Sequence, residues 1–231
     1  MKKALFWDFD GTLACENRIN SYSRWSYSLY TVLSNLKYNI NIEEIRQHLG
    51  NVYSWDHPEI SYTESTGIKW WENFFCKIIP FYELHGVSEK DAEAANTYLR
   101  NHFLDYKNYS MYDDAEQTLQ KCMDMDYKNY ILSNNFPELP DIVKDLGFGK
   151  YFADCIVSAK HGYEKPRIEI FEIALNIAGN PDISYMIGDN PVADIQGGKA
   201  AGMKTVLVHK ESPVSADYKC AELSEIPLIL L

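Results

Sequence analysis

The chain reads as an α/β protein: a parallel, doubly wound sheet carrying an inserted helical domain. Three observations predict this. Short apolar runs of strand length recur along the sequence, segments of helical periodicity separate them, and one long stretch after the first run contains no such strand.

The first run is Leu5-Phe6-Trp7, a continuous apolar segment of the kind a parallel sheet buries on both faces. Comparable runs occupy 129–132, 155–157, 183–187 and 205–208. Between them, Ala115, Leu119 and Cys122 fall at helical spacing behind the candidate N-caps Asp113 and Asp114. Phe171, Ala174, Leu175 and Ala178 form a second apolar stripe, with Pro166 ahead of it and Gly179 just past its end. Strands alternating with helices in this way imply βαβ units. From Cys15 to Asp105 the pattern changes to aromatic-rich helical segments at 21–36, 67–81 and 88–103. The expected division is therefore a core of residues 1–14 and 106–231, with residues 15–105 forming a helical domain mounted over the sheet.

Composition narrows the function classes. The 231 residues are 46% hydrophobic and 24% charged, ordinary for a soluble globular protein with room for a substantial core. A formal net charge of −11 argues against nucleic-acid and anionic-membrane surfaces, which reward clustered Lys and Arg. The five cysteines never fall in a CxxC pair, which fits thiols in a reducing compartment better than a disulfide or zinc framework. Only four apolar residues precede Asp8, too few for a secretory h-region, and no run approaches membrane-spanning length. The expected location is cytoplasmic.

The apolar runs end in polar clusters. Asp8 and Asp10 follow the first, Ser133, Asn134 and Asn135 follow the second, and "GDNPVAD", residues 188–194, follows the fourth. In an open α/β sheet the carboxyl ends of the strands converge on one crevice, so these residues are expected to meet. Asp8 and Asp10, two apart in extended chain, would leave the backbone on the same side. With Asp189 and Asp194 they would crowd carboxylates into a small volume, which requires a cation or a shared proton. An all-oxygen ligand set points to Mg²⁺. Lys165, in "YEKPR", would add a fixed positive charge, and a metal, a lysine, a serine hydroxyl and helix N-termini together suit phosphate.

In this order, "DFDGT", "LSNN", "KP" and "GDNPVAD" resemble the four motifs of the haloacid dehalogenase-like (HAD) hydrolase superfamily. The likeness extends over nearly the whole chain, and the helical insertion resembles the C1 type of cap. The resemblance implies a Rossmann-like core, an aspartyl-phosphate mechanism and a small phosphorylated metabolite as substrate. By similarity Asp8 would be the nucleophile, and Asp10 the acid and then the base, its pKa raised by crowded negative charge. Ser133 and Lys165 would clamp the phosphate oxygens, with Asn134 beside them. Asp8, Asp189 and the Asp10 carbonyl would ligate Mg²⁺, and Asp194 would stand behind them, holding Lys165 or a water of the ion. Gly11 would permit the tight turn, and Thr12 would position Asp8 and help bind phosphate. Because an aspartate stands at position 10, the chain looks like a phosphatase or phosphomutase rather than a dehalogenase.

Each assignment has a plainer counterpart. A calcium loop is excluded at "DFDGTLACENRI", where Gly11 stands fourth and Ile19 twelfth, against the sixth-position glycine and twelfth-position glutamate such a loop requires. Asp189 and Asp194 alone would suit a helix-capping turn, Ser133 a simple cap and Lys165 a solvated surface. In the insertion, Trp70, Trp71, Phe74 and Phe75 read as a core stripe rather than a substrate box. Arg18 and Arg24, set among aromatics, are expected to line the cleft and touch the leaving group. A Mg²⁺-dependent phosphatase is the leading expectation; a sugar phosphomutase and a non-catalytic phospholigand-binding regulator are the alternatives.

Overall fold

A computed structural model describes residues 1–15, 23–52 and 60–230, and Arg18 lies outside them. Six parallel strands form one sheet: β1 (Lys3–Trp7), β2 (Lys128–Ser133), β3 (Phe152–Val157), β4 (Ile183–Gly188), β5 (Lys204–Val208) and β6 (Tyr218–Cys220). Their spatial order is β3-β2-β1-β4-β5-β6. The chain steps outward from β1 through β2 to β3, then returns to β1's other edge with β4. The winding reverses between β1 and β4, and that switch point is where an open sheet leaves a crevice.

The continuous apolar runs have a direct cause, since both faces of the sheet are covered. Ala4 and Phe6 pack on one side with Tyr130, Leu132 and Met186, while Leu5 and Trp7 pack on the other with Ile131, Tyr185 and Ile187. One polar residue sits inside a run: Asn129 is buried, accepts the Trp7 indole N–H at 3.0 Å and donates to the carbonyls of Leu119 and Tyr151 at 3.2 and 3.3 Å. Fully partnered, its amide costs little to bury.

Among the described residues of the 15–105 stretch, four α-helices lie between β1 and β2: α1 (Arg24–Asn35), α2 (Ile42–Val52), α3 (Lys69–Leu84) and α4 (Glu89–Leu104). Ser23 and Ser88 cap α1 and α4, accepting from the amides of Ser26 and Asp91 at 3.3 and 3.2 Å. The other helices are α5 (Ala115–Asp124), α6 (Leu139–Asp145), α7 (Ser158–His161), α8 (Ile168–Ile177), α9 (Gly197–Ala200) and α10 (Ile226–Ile229). Asp114 precedes α5 but does not cap it through its side chain; its carboxylate instead accepts from the Ser224 amide at 2.8 Å, tying the far end of the chain to α5.

The aromatic stripe of α3 divides. Trp71 and Phe74 are buried, and Trp71 stacks on Phe136 of the β2–α6 loop at 5.5 Å while its indole N–H donates to Glu138 at 3.0 Å. The apolar cluster of the inserted helices is thereby continuous with the cluster on one face of the sheet. A second seam is made by backbone: Tyr62 N–H donates to the Gly162 carbonyl and Gly67 N–H to the Ala159 carbonyl, both at 2.9 Å. Gly162 is in the left-handed region, at φ +80°, and a Cβ there would run into the backbone of Thr63. Gly147, at φ +84°, has open space around the same position.

These two glycines separate backbone strain from close approach. Gly147→Ala is expected to cost about 1–2 kcal/mol, the left-handed penalty alone. Gly162→Ala is expected to exceed it by about 1 kcal/mol or more, because the 60–67 segment must also move. Urea denaturation of both variants decides this, and equal losses would show that the seam is not formed in solution.

Candidate active site

Asp8 leaves the carboxyl end of β1, and its amide continues the ladder by donating to the Ile187 carbonyl of β4 at 2.9 Å. The next residues fold back at once. The amides of Leu13 and Ala14 both donate to the Phe9 carbonyl, at 3.0 and 2.9 Å, and Gly11 takes φ +80°. A Cβ on Gly11 would lie 2.6 Å from a carboxylate oxygen of Asp189, so both the turn and the neighbouring acid exclude any side chain there.

β4 delivers Asp189 beside Asp8, and the turn after it, Pro191–Gln196 in a wide helical winding, brings Asp194 back to the same place. Asn190 holds that turn, its side-chain oxygen accepting from the amides of Val192 and Ala193 at 2.9 and 3.0 Å. Asp194 accepts from the Asn190 amide at 3.0 Å and lies against Gly188, where no Cβ would fit. Carboxylate oxygens of Asp8, Asp189 and Asp194 lie within 4.8 Å of one another.

Lys165 stands among them, only 1% exposed, its Nζ 2.6 Å from Asp194 Oδ1 and 2.9 Å from Asp8 Oδ1. Asn134 fixes its backbone from both sides, accepting from the Lys165 amide at 2.7 Å and donating to its carbonyl at 2.9 Å. Burial alone would push the Lys165 ammonium down, and the flanking Asp194 and Asp8 carboxylates hold it above the ordinary lysine value. Burial drives Asp194 up to about 7, against the pull of Lys165 and with added repulsion from Asp8 and Asp189.

The structure brings Asp8, Asp10, Ser133, Asn134, Lys165, Asp189 and Arg24 to one cavity of about 360 Å³. Several expectations change there. Asp10 is not part of the carboxylate cluster: Asn135 donates to it at 2.8 Å and Arg24 at 3.4 Å, so a cation and an amide surround it rather than crowded negative charge. Arg24 is in turn held over the Tyr109 ring, 3.9 Å from its centroid. Thr12 is fully buried, and its hydroxyl donates to Asp189 over a long 3.5 Å, so it supports Asp189 rather than Asp8 or a phosphate. The Asn134 side chain is engaged at both its oxygen and its nitrogen by the Lys165 backbone. Ser133, buried at the end of β2, lines the cavity with a hydroxyl that has no hydrogen bond to a described residue.

Sequence reasoning places Asn135 and Asn190 in the strand-end clusters without giving either a role, and misses Lys210 altogether. Lys210 forms an ion pair with Asp189 from the loop after β5. The signal was present in each case, since all three follow a strand's carboxyl end.

The two ion pairs should differ sharply in worth. Asp194→Asn leaves a buried ammonium short of a partner and is expected to cost about 3 kcal/mol. Asp189→Asn breaks a pair with the half-exposed Lys210 while relieving carboxylate repulsion, and is expected to stay within about 1 kcal/mol of the unchanged protein. Urea melts of the two variants make the comparison; a near-neutral Asp194→Asn would mean that Lys165 is not buried as described.

Known proteins resemble this chain in sequence and in fold. Haloacid dehalogenase-like hydrolase domain-containing protein 3 of Homo sapiens is 30% identical over 147 residues, 62% of this chain and 57% of that protein. Phosphoserine phosphatase of Thermus thermophilus is 28% identical over 151 residues, 62% of this chain and 59% of that protein. The chain therefore matches less than two thirds of the length of either relative. The HAD-hydrolase YfnB of Bacillus subtilis, crystallised with magnesium, shares the fold with a TM-score of 0.73 at 18% identity, covering 99% of this chain and 98% of that one. Residues 2–202 match the haloacid dehalogenase-like hydrolase family, and the chain belongs to it.

Proposed function

We propose that the chain is a Mg²⁺-dependent phosphatase that hydrolyses a small phosphomonoester through an aspartyl-phosphate, with residues 15–105 acting as its cap. One observation carries this reading: an ammonium group 2.9 Å from a strand-end carboxylate, with two further carboxylates within 4.8 Å, at the floor of a cavity. The donor set fits a hard divalent cation, being all oxygen and compact. Asp8 and Asp189 would hold it, and it would supply charge neutralisation for an incoming phosphate. Lys210, already paired with Asp189, shows that this acid takes a cationic partner.

Asp8 has one oxygen engaged by Lys165, which leaves the other to attack phosphorus. As that O–P bond forms, the bond to the leaving oxygen breaks, and Asp10 gives that oxygen its proton. Water then attacks the aspartyl-phosphate, Asp10 takes the water's proton, and the Asp8–phosphorus bond opens. Arg24 and Asn135 hold the Asp10 carboxyl at the cavity, where it would give a proton to the leaving oxygen and take one from water. Ser133 and Lys165 are placed to hold the non-bridging oxygens. The relative named for phosphoserine supports phosphomonoester chemistry without fixing the leaving group.

Release of phosphate from p-nitrophenyl phosphate is expected, stopped by EDTA and restored by Mg²⁺. Asp8→Asn is expected to lower kcat by about a thousandfold or more. Turnover indifferent to chelation, or surviving Asp8→Asn, would overturn the mechanism; rearranged rather than free phosphate from hexose phosphates would make the chain a mutase.

A further inference from the structure

The same cavity carries a second chemistry on the side of the inserted helices. Its wall there is formed by Trp25 of α1 and by Trp70, Asn73, Phe74 and Lys77 of α3. Positions 70, 73, 74 and 77 share one face of a helix. Trp25 and Trp70 are half-buried, and each is braced by another ring. Phe103 stacks on Trp25 with centroids 3.6 Å apart at 20°, and Phe74 lies nearly parallel to Trp70, at 5.4 Å and 7°. Trp71 meets Trp70 edge-on at 5.0 Å and 85°. Phe103 and Trp71 do not line the cavity and brace the wall from behind, so that the two indoles, with Phe74, are held in fixed orientation along it. Beside Trp70, the Asn73 amide lines the cavity and makes no hydrogen bond with a described residue.

We propose that this wall recognises a planar, hydrogen-bonding leaving group, so that the substrate is a nucleoside monophosphate: its base lies against the indoles, Asn73 reads its edge, and its phosphate reaches Lys165. The inference rests on the phosphatase reading above. A cavity of about 360 Å³ falls in the range that encloses a ligand larger than a two- or three-carbon phosphoacid. A flat indole face gains most from a flat partner, and every base has a π-face. An amide both donates and accepts, which matches the mixed edge of a base better than the acceptor-only carboxylate of a phosphoacid, and the flat indoles beside it favour a base over the puckered ring of a sugar.

The test compares kcat/KM for nucleoside monophosphates with that for O-phosphoserine and glycerol phosphate, in the intact protein and in Trp70→Leu and Asn73→Ala. Nucleoside monophosphates are expected to be preferred, Trp70→Leu to shrink that preference about tenfold, and Asn73→Ala to change the ranking among bases. Saturation-transfer NMR with free nucleosides, which lack the phosphate, probes the wall without turnover and is expected to show contact through the base protons. Phosphoserine turned over as well as any nucleotide, with no nucleoside contact, would overturn the proposal and leave the phosphatase reading intact. Nucleoside contact without hydrolysis of any phosphomonoester would overturn the hydrolytic reading and leave the recognition site standing. A Trp70→Leu protein that melts like the unchanged one yet keeps its full preference would also sink the proposal.

Discussion

The Lys165 ammonium, shared between Asp194 and Asp8, is the interaction on which the rest of the structure turns. Removing an ammonium from water costs several kcal/mol, and the protein meets that cost with two carboxylates at 2.6 and 2.9 Å. Each carboxylate arrives by a different device. Asp8 comes on the end of a strand buried on both faces, and Asp194 on a wide turn that folds back over a glycine. Asn134 holds the lysine backbone from a third strand end. Three segments distant in sequence are thus fixed to the one that carries Lys165. Asp189 arrives on the same segment as Asp194, and its negative charge is balanced from outside by Lys210.

This convergence follows from where the sheet reverses its winding. β1 and β4 are neighbours, with Trp7 opposite Ile187, so the acids just beyond them are adjacent without any long loop. β2 borders β1 on the other side and presents Ser133 and Asn134 to the same crevice. Crowding like charges would be destabilising in a sheet interior; at the strand ends the backbone amides, the two lysines and an open cavity offset it.

Much of this was legible in the sequence because the determining constraints are local. A strand covered on both faces must be apolar throughout, so five of the six strands announce themselves, and the polar residues ending them mark the crevice. The exceptions have physical causes. β6 is three residues at a sheet edge, too short to show a pattern. The helix α2 was overlooked although Asn41 accepts from the Glu43 amide at 2.9 Å and Ile45 and Leu49 are buried at helical spacing, because acidic residues dilute its apolar face. Partnership at the site was harder to read than membership. That Asn134 serves Lys165, that Thr12 turns to Asp189 and that Arg24 crosses from α1 to Asp10 depend on the packing of distant elements, which residue spacing does not encode. The same holds for α3, where a uniform aromatic stripe in the sequence divides into Trp71, buried away from the cavity, and Trp70 and Phe74, which line it.

The path from Ala159 to Lys165 joins the two halves of the molecule. Ala159 and Gly162 accept backbone hydrogen bonds from the 60–67 segment, and Glu164 accepts the Tyr62 hydroxyl at 2.7 Å. The next residue is Lys165. Burial pushes the Tyr62 phenol well above its ordinary range, with the Glu164 charge adding to it, so this hydrogen bond keeps its donor across the pH range in which proteins fold. The inserted helices and the buried ammonium are therefore anchored on one seven-residue stretch. A displacement of the 60–67 segment breaks three hydrogen bonds on the chain that positions Lys165, whereas the carboxylates it pairs with are carried by the end of β1 and the turn after β4. The inserted helices are in this way linked to the buried ammonium through the stretch that carries it, and to the end of β1 through the Arg24–Asp10 pair.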